Sequence, residues 1–376
     1  MTAPAVAAFR GQFRRTPDLA VSAPGRVNLL GEHTDYNGGP VLPMAISRRT
    51  TVAAARADDW RFVSGEEPGA ITVDVHAELR RDWTDYVTGV VRELQAIGAA
   101  PEGAHLTISS TVPIGAGLSS SAALTVAAAR ALSALAGRRL DGRALAEIAY
   151  RAEHDQVGVR CGRMDQTIAA LARPRHAILF ETATGEISEV PMPGRILVIE
   201  TGRSHRLTGG ELNARRAECE AALATLRTRW PELGTLCALP AGSLGEAERL
   251  LPDTLFRRVR HLVTETARTR RAAAALREGD LAALGALLVA GQRSLTTDFE
   301  SSIPEADLIV DSAVRHGAYG ARLTGAGWGG AVLVLSPEAE GRVVIRGVRR
   351  DFDAAFGRRP VAWTTRAAGG VRRERV

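Results

Sequence analysis

No lysine occurs anywhere in this chain of 376 residues, so all 48 basic residues are arginines. That absence excludes whole mechanisms. A Walker A loop needs Lys after its second glycine, protein kinases need a strand Lys, and Schiff-base chemistry needs an amine. If the chain handles phosphate, the charge must be met by backbone amides, a helix dipole, Arg or a metal. Cysteine is scarce too. Cys161, Cys219 and Cys237 form no CxxC pair and are odd in number, which argues against a disulfide framework and for a reducing compartment. No stretch approaches the roughly 18 uninterrupted apolar residues of a membrane span. The opening MTAPAVAAFRGQF also lacks a basic segment followed by a sustained apolar run, so the expected place is the cytoplasm, away from membranes. Net charge is +6, but the arginines fall in scattered doublets such as Arg14-Arg15 and Arg215-Arg216, among acids, with no basic stripe interleaved with aromatics. No nucleic-acid partner is expected.

What is present is an ordinary globular composition, 45% hydrophobic and 24% charged, in a chain long enough for two domains. Residues 18–56 read as strands, with Asn37-Gly38 as a hairpin turn signal. Thr84–Gly98 reads as a helix, and HLTISSTV as a strand leading to the helix Ser121–Ala136, stopped by Gly137. Leu140–Val157 reads as a further helix capped by Asp141. Pro174–Pro193 breaks the pattern with one strand, a turn at Thr184-Gly185 and two prolines at its end, and a boundary between domains is placed near 170–195. Beyond it come a strand at Ile196–Thr201, helices at Asn213–Trp230, Leu255–Ser294 (two, split near Gly279) and Pro304–Arg315, and a strand at Ala331–Leu335. Such alternation implies an α+β or α/β protein with a cleft between lobes.

Four stretches carry chemistry. PIGAGLSSSAAL (Pro113–Leu124) has a structural reading, a tight strand-to-helix turn with serines capping the helix, and a chemical one, a glycine-bare loop whose N–H groups suit a phosphate. PGRVNLLGEHTDYNGG (Pro24–Gly39) packs Arg26, Glu32, His33 and Asp35 into one turn. It reads either as a solvated polar turn with Asp35 as a local cap or as a clamp for several sugar hydroxyls. RLTGAGWGGA (Arg322–Ala331) is a glycine-rich connector that reads as a second backbone wall over a ligand. EHDQVGVRCGRMDQ (Glu153–Gln166) offers Glu153, otherwise a solvated helix residue, and Asp165, otherwise an N-cap.

Taken together and in this order, the four stretches resemble the GHMP kinase superfamily, and PGRVNLLGEHTDYNGG is close to the galactokinase signature. HRLTGGELNARRAECE (His205–Glu220) is similar to the segment after that family's domain crossover. The resemblance implies an α+β fold of two domains, 1–175 related to ribosomal protein S5 domain 2-like folds and 176–376 ferredoxin-like, with the site between them. It implies an ATP-dependent sugar 1-kinase acting on galactose as a monomer. Gly115, Ala116, Gly117, Leu118, Ser119, Ser120 and Ser121 are then the ATP loop, and Ser121 and Glu153 hold Mg²⁺. Glu32, His33 and Asp35 bind sugar hydroxyls. Asp165 accepts the proton of the attacking hydroxyl, with Arg26 as its electrostatic partner. A kinase for another sugar, a uronic acid or a cyclitol is the alternative, and a non-catalytic sugar and ATP sensor is a further one. This chain departs from the family pattern at Leu212, where galactokinases usually carry a sugar-facing Tyr, at Arg163, and at Ala326 and Trp328.

Overall fold

The computed structural model describes residues 4–65, 69–203 and 210–376, so His205 to Gly209 of the crossover segment lie outside it. Helix α1 (Pro4–Phe13) precedes strands β1 (Leu19–Asn28), β2 (Pro40–Val41), β3 (Pro43–Arg56), β4 (Trp60–Ser64) and β5 (Ile71–Thr72). Helix α2 (Thr84–Ala96), strand β6 (Ala104–Ser110) and helices α3 (Ser120–Leu135), α4 (Gly142–Arg151) and α5 (Met164–Leu171) follow. Strands β7 (His176–Glu181), β8 (Glu186–Pro191) and β9 (Ile196–Glu200) lead to helices α6 (Gly210–Leu226), α7 (Leu244–Leu250), α8 (Asp253–Glu278), α9 (Leu281–Ser294) and α10 (Pro304–Arg315). Strands β10 (Gly320–Thr324) and β11 (Ala331–Leu335), helix α11 (Gly341–Phe356) and strands β12 (Ala362–Thr365) and β13 (Arg372–Glu374) complete the order.

The first sheet has the order β13-β1-β3-β6-β4-β5, and only its β4–β6 pair is parallel. Strand β1 is buried at every position, because α3 lies across one face. The alanines of α3 permit that close approach, and Val126, Leu132 and their neighbours fill a core shared with α2 and α4. Each such fully buried aliphatic side chain stabilises the fold by about 1.5–3 kcal/mol. The second sheet, β10-β11-β9-β12, is antiparallel throughout, packs on α9 and α10, and shares a core with α8 and α11. A third cluster joins the halves, with Val27, Leu30 and Met44 against Leu284, Leu288 and Leu333. The chain's end returns to its beginning, β13 pairing with β1 at Ala20 to Ser22.

Three local expectations differ from the structure. Asn37-Gly38 is no two-residue hairpin: Asp35–Asn37 form one 3₁₀ turn ended by Gly38 at φ 72°, inside a longer link from β1 to β3. The Thr34 hydroxyl, 2.8 Å from the Gly31 carbonyl and 2.7 Å from that of Pro40, ties this link into a compact loop instead. The regular helix after Asp141 ends at Arg151 and widens into a π turn, Ala152–Gln156, closed by a 3.1 Å bond from the Val157 N–H to the Ala152 carbonyl. Pro174–Pro193 holds two paired strands, β7 and β8, rather than one.

Candidate active site

The site begins with an irregularity in β1. Its register on β3 shifts between Pro24 and Arg26, and at Gly25 a Cβ would lie 2.6 Å from the Leu118 carbonyl. Glycine there lets the strand touch the loop before α3, and the Arg26 N–H donates to Leu118 O at 3.0 Å. The same kink turns the Arg26 side chain into the cleft. Its Nε donates to Asp165 Oδ1 at 2.7 Å and its Nη2 to Asp165 Oδ2 at 2.9 Å, a two-pronged pair of the strongest hydrogen-bonding type. Asp165 lies in the first turn of α5, where Arg163 holds the capping position, so Asp165 is free of capping duty.

The loop before α3 uses Gly115 at φ 71° and Gly117 at φ 68°, both left-handed, to turn tightly into the helix N-terminus. The N–H groups of the first helical turn have no acceptor within the helix and point their partial positive charge outward. A second glycine loop stands against this one: a Cβ on Gly325 would lie 2.8 Å from Gly117 O, and one on Gly330 3.0 Å from Ala116 O. Two bare backbones therefore face each other, and neither has room for a side chain.

The π turn before Val157 delivers Glu153, which is 3% exposed. Its Oε1 accepts from the Thr125 hydroxyl at 3.0 Å and from Gln166 Nε2 at 2.8 Å, and the Ser121 hydroxyl also reaches the carboxylate. Burial pushes its pKa up to about 7, and among the described residues it has no ion pair. A buried carboxylate beside a serine hydroxyl, with no cation of its own, is a hard oxygen donor set that fits Mg²⁺.

Opposite lie the acids of the β1–β3 link. Glu32 is buried and raised to about 7 by that burial, with Arg322 pulling it back down. His33 sits at φ 66°, accepts or donates at Nδ1 to the Tyr36 hydroxyl at 2.8 Å, and stacks on Phe299 with ring centroids 4.1 Å apart. Burial and the neighbouring His261 and Arg322 keep it neutral, well below the usual histidine range. Asp35 is pushed up to about 6 by burial and by the charge of Asp165. It owes its place to Gly162, where a Cβ would lie 1.8 Å from its Oδ2.

These groups line one cleft of about 440 Å³. Arg26, Glu32, His33, Asp35, Gly115, Gly117, Leu118, Ser119, Ser120, Ser121, Glu153 and Asp165 all face it, while Ala116 is buried beneath the loop. Leu212 faces it as well.

The galactokinase galactose-binding signature matches residues 7–56, the GHMP kinases N terminal domain residues 85–173, and the GHMP kinases C terminal domain residues 272–354. The chain is 43% identical to a galactokinase of Chloroflexus aggregans over 337 residues, 88% of this chain and 86% of that protein. It belongs to the galactokinase family. A Streptomyces coelicolor galactokinase is 40% identical over 378 residues, 97% of this chain and 96% of the relative. The crystal structure of Lactococcus lactis galactokinase complexed with galactose superposes with a TM-score of 0.94 at 30% identity, covering 98% of each chain. The two-domain GHMP kinase fold and the enzyme class, a phosphotransferase with an alcohol acceptor, follow from these matches.

In this galactokinase-family chain several neighbours of the cleft carry no motif of their own. Tyr36 and Phe299 hold His33 from two sides, and Arg322 and Glu265 stand behind Glu32. Tyr36 belongs to the PGRVNLLGEHTDYNGG stretch and Arg322 opens RLTGAGWGGA, but Glu265 is one of many charged residues on a long arginine-rich helix and Phe299 sits in the polar turn after another, so nothing in the sequence marks them out.

Proposed function

We propose that this galactokinase-family enzyme transfers the γ-phosphoryl group of ATP to the anomeric hydroxyl of galactose in the cleft between its two glycine loops and the Glu32–Asp35 turn. The observation that carries this reading is the Arg26–Asp165 pair, where a carboxylate with both oxygens held stands beside Asp35 on one side and the phosphate loop on the other. Asp165 accepts the proton of the attacking hydroxyl, and Arg26 fixes the carboxylate and offsets charge growing on the transferred group. Gly115, Ala116, Gly117, Leu118, Ser119, Ser120 and Ser121 wrap the phosphates through backbone N–H groups, so no lysine is needed. Glu32, neutral His33 and Asp35 fix the sugar's register through its hydroxyls. Ser121 and Glu153 hold Mg²⁺, which when bound neutralises phosphate charge.

The reading extends to organisation. Residues 1–175 and 176–376 are the two domains, with β13 returning to the first sheet. The enzyme acts as a monomer in the cytoplasm, a reducing compartment with which its three free cysteines agree. The test is a coupled ADP-release assay over a panel of free sugars, with Mg²⁺ and with excess chelator. Galactose turnover that stops with chelator is expected, and galactose inert while another sugar or a cyclitol turns over overturns the acceptor.

A further inference from the structure

Ser119 occupies the capping position of α3 and does not cap it. Its hydroxyl makes no bond to the helix N–H groups, and its backbone stands at φ 60° and ψ 50°. The other left-handed positions of this loop, Gly115 and Gly117, are glycines, for which that conformation carries no steric penalty. At Ser119 a residue with a Cβ adopts it, forgoing both a relaxed backbone and the capping bond that serine favours. Strain of this kind persists where the surroundings impose it, and here the side chain shows what it serves. The Ser119 hydroxyl donates to Asp165 Oδ2 at 2.5 Å.

Asp165 thus receives three donors: Arg26 Nε on Oδ1, and Arg26 Nη2 and Ser119 Oγ on Oδ2. A carboxylate offers about four lone-pair positions, two on each oxygen. Oδ2 is saturated by its two donors. Oδ1 keeps one position open. Arg26 alone would hold the plane of the carboxylate but leave one position free on each oxygen. Ser119 closes one of the two. Arg26 Nη1 also donates to Gly117 O, so the arm that aims Asp165 is braced on the loop that carries Ser119.

We infer that Ser119 is a positioning residue for Asp165: its hydroxyl fills Oδ2 and so leaves Oδ1 as the oxygen that takes the acceptor's proton, while its contribution to the phosphate loop is made by backbone alone. This rests on the proposed role of Asp165.

The experiment compares Ser119→Ala and Ser119→Gly with the parent enzyme, each alone and in an Asp165→Asn background. It measures kcat, both KM values and the melting temperature on whichever sugar the parent turns over. A wrong sugar assignment therefore sinks the proposed acceptor without touching Ser119. A hydrogen bond to a charged group carries enough energy that both single variants lose roughly tenfold to a hundredfold in kcat, with the KM for ATP within about twofold of the parent. In the Asp165→Asn background the same substitutions cost no more than about twofold further, because their effect passes through Asp165. Glycine accepts the left-handed backbone without strain, so Ser119→Gly melts no lower than Ser119→Ala and is still slow. A glycine variant with parental kcat would show that only the backbone shape matters and overturns the inference. A raised KM for ATP with unchanged kcat would assign the hydroxyl to the phosphates and overturns it equally. Full additivity with Asp165→Asn also counts against it.

Discussion

Arg322 Nη2 lies 2.6 Å from Glu32 Oε2, and the two side chains are 0% and 1% exposed. The other arm of the same guanidinium meets Glu265 at 2.7 Å, and Glu265 in turn pairs with Arg268 at 2.8 Å and accepts the Gly31 N–H at 2.8 Å. Burial works to raise Glu265, but Arg322 and Arg268 hold it well below the usual carboxylate range. Arg322 comes from β10 and Glu265 from α8, so elements of the second half of the chain hold the turn proposed as the sugar clamp.

Removing Arg322 leaves two buried carboxylates facing each other with one arginine fewer. Breaking a buried pair from one side costs about 3–5 kcal/mol. Arg322→Met is therefore expected to lower the unfolding free energy read from denaturant melts by that amount, and Arg322→Met with Glu32→Gln to recover a large part of it. A single variant as stable as the parent would mean that Glu32 and Glu265 are neutral or hydrated in the fold.

Asp165→Asn is expected to lower kcat by about 10² to 10⁴ with the fold intact. Because Arg163, and not Asp165, holds the capping position of α5, the loss of about 1 kcal/mol that accompanies a removed cap does not apply. Steady-state rates and thermal melts on the same samples check both halves. A variant that is less stable and nearly as fast would return Asp165 to a structural role.

Much of this was legible in the sequence where chemistry and spacing coincide. The glycine-serine loop, the Glu32–Asp35 turn and the stretch with Glu153 and Asp165 stood out by residue type and order, the family resemblance gave them their expected roles, and α10 and β11 begin and end where their periodicity said. What stayed hidden depends on contacts far apart in the chain. Nothing near Ser119 announces that its hydroxyl reaches 46 residues ahead to Asp165 rather than to the helix it precedes. The π turn that brings Glu153 inward keeps helical composition, so its wider pitch has no sequence mark. Arg322 on β10 and Glu265 on α8 are 57 residues apart and meet only in the folded chain, through one buried ion pair behind the Glu32 turn.

Gly325 stands at φ 91°, with Gly117 O where a Cβ would go. Alanine there adopts a left-handed backbone at a cost of roughly 1–2 kcal/mol and also pushes the phosphate loop. Gly325→Ala should melt lower and show a raised KM for ATP, with sugar binding by calorimetry little changed. Loss of sugar binding alone would show that this loop serves the acceptor and not the nucleotide.

Glu153 predicts a pH dependence. Burial pushes its pKa in the fold up to about 7 from an ordinary 4.5, so between these values the folded protein holds a proton that the unfolded chain has lost. Its contribution to stability is present below pH 4.5 and is lost as pH rises through about 7. Mg²⁺ held by Glu153 as proposed would compete with that proton, so its affinity should weaken by roughly tenfold per unit below about pH 7 and level off above it. Calorimetry in buffers of different ionisation heat should detect a proton released per ion bound near pH 6.5, and Glu153→Gln should abolish that release. Proton release unchanged in Glu153→Gln would remove Glu153 from the metal site.

Leu212, half-buried on α6, faces the cleft at the position where the resemblance leads one to expect a sugar-facing tyrosine. A leucine neither donates nor accepts, and a neutral hydrogen bond contributes only about 0.5–1.5 kcal/mol net, roughly tenfold in affinity at most. Galactose should therefore still be phosphorylated, with a somewhat raised KM, because the proposed clamp of Glu32, His33 and Asp35 is intact. Discrimination is what changes. An apolar wall leaves no buried protein group unpaired when an analogue lacks or inverts the nearby hydroxyl, so deoxy and epimeric sugars should compete better than in relatives with tyrosine. Leu212→Tyr restores a group that is left unsatisfied by those analogues, and it should raise the ratio of kcat/KM for galactose over them by about fivefold to tenfold, chiefly by slowing the analogues. An unchanged ratio, with the tyrosine variant folded and active on galactose, would place the discriminating contact elsewhere in the cleft.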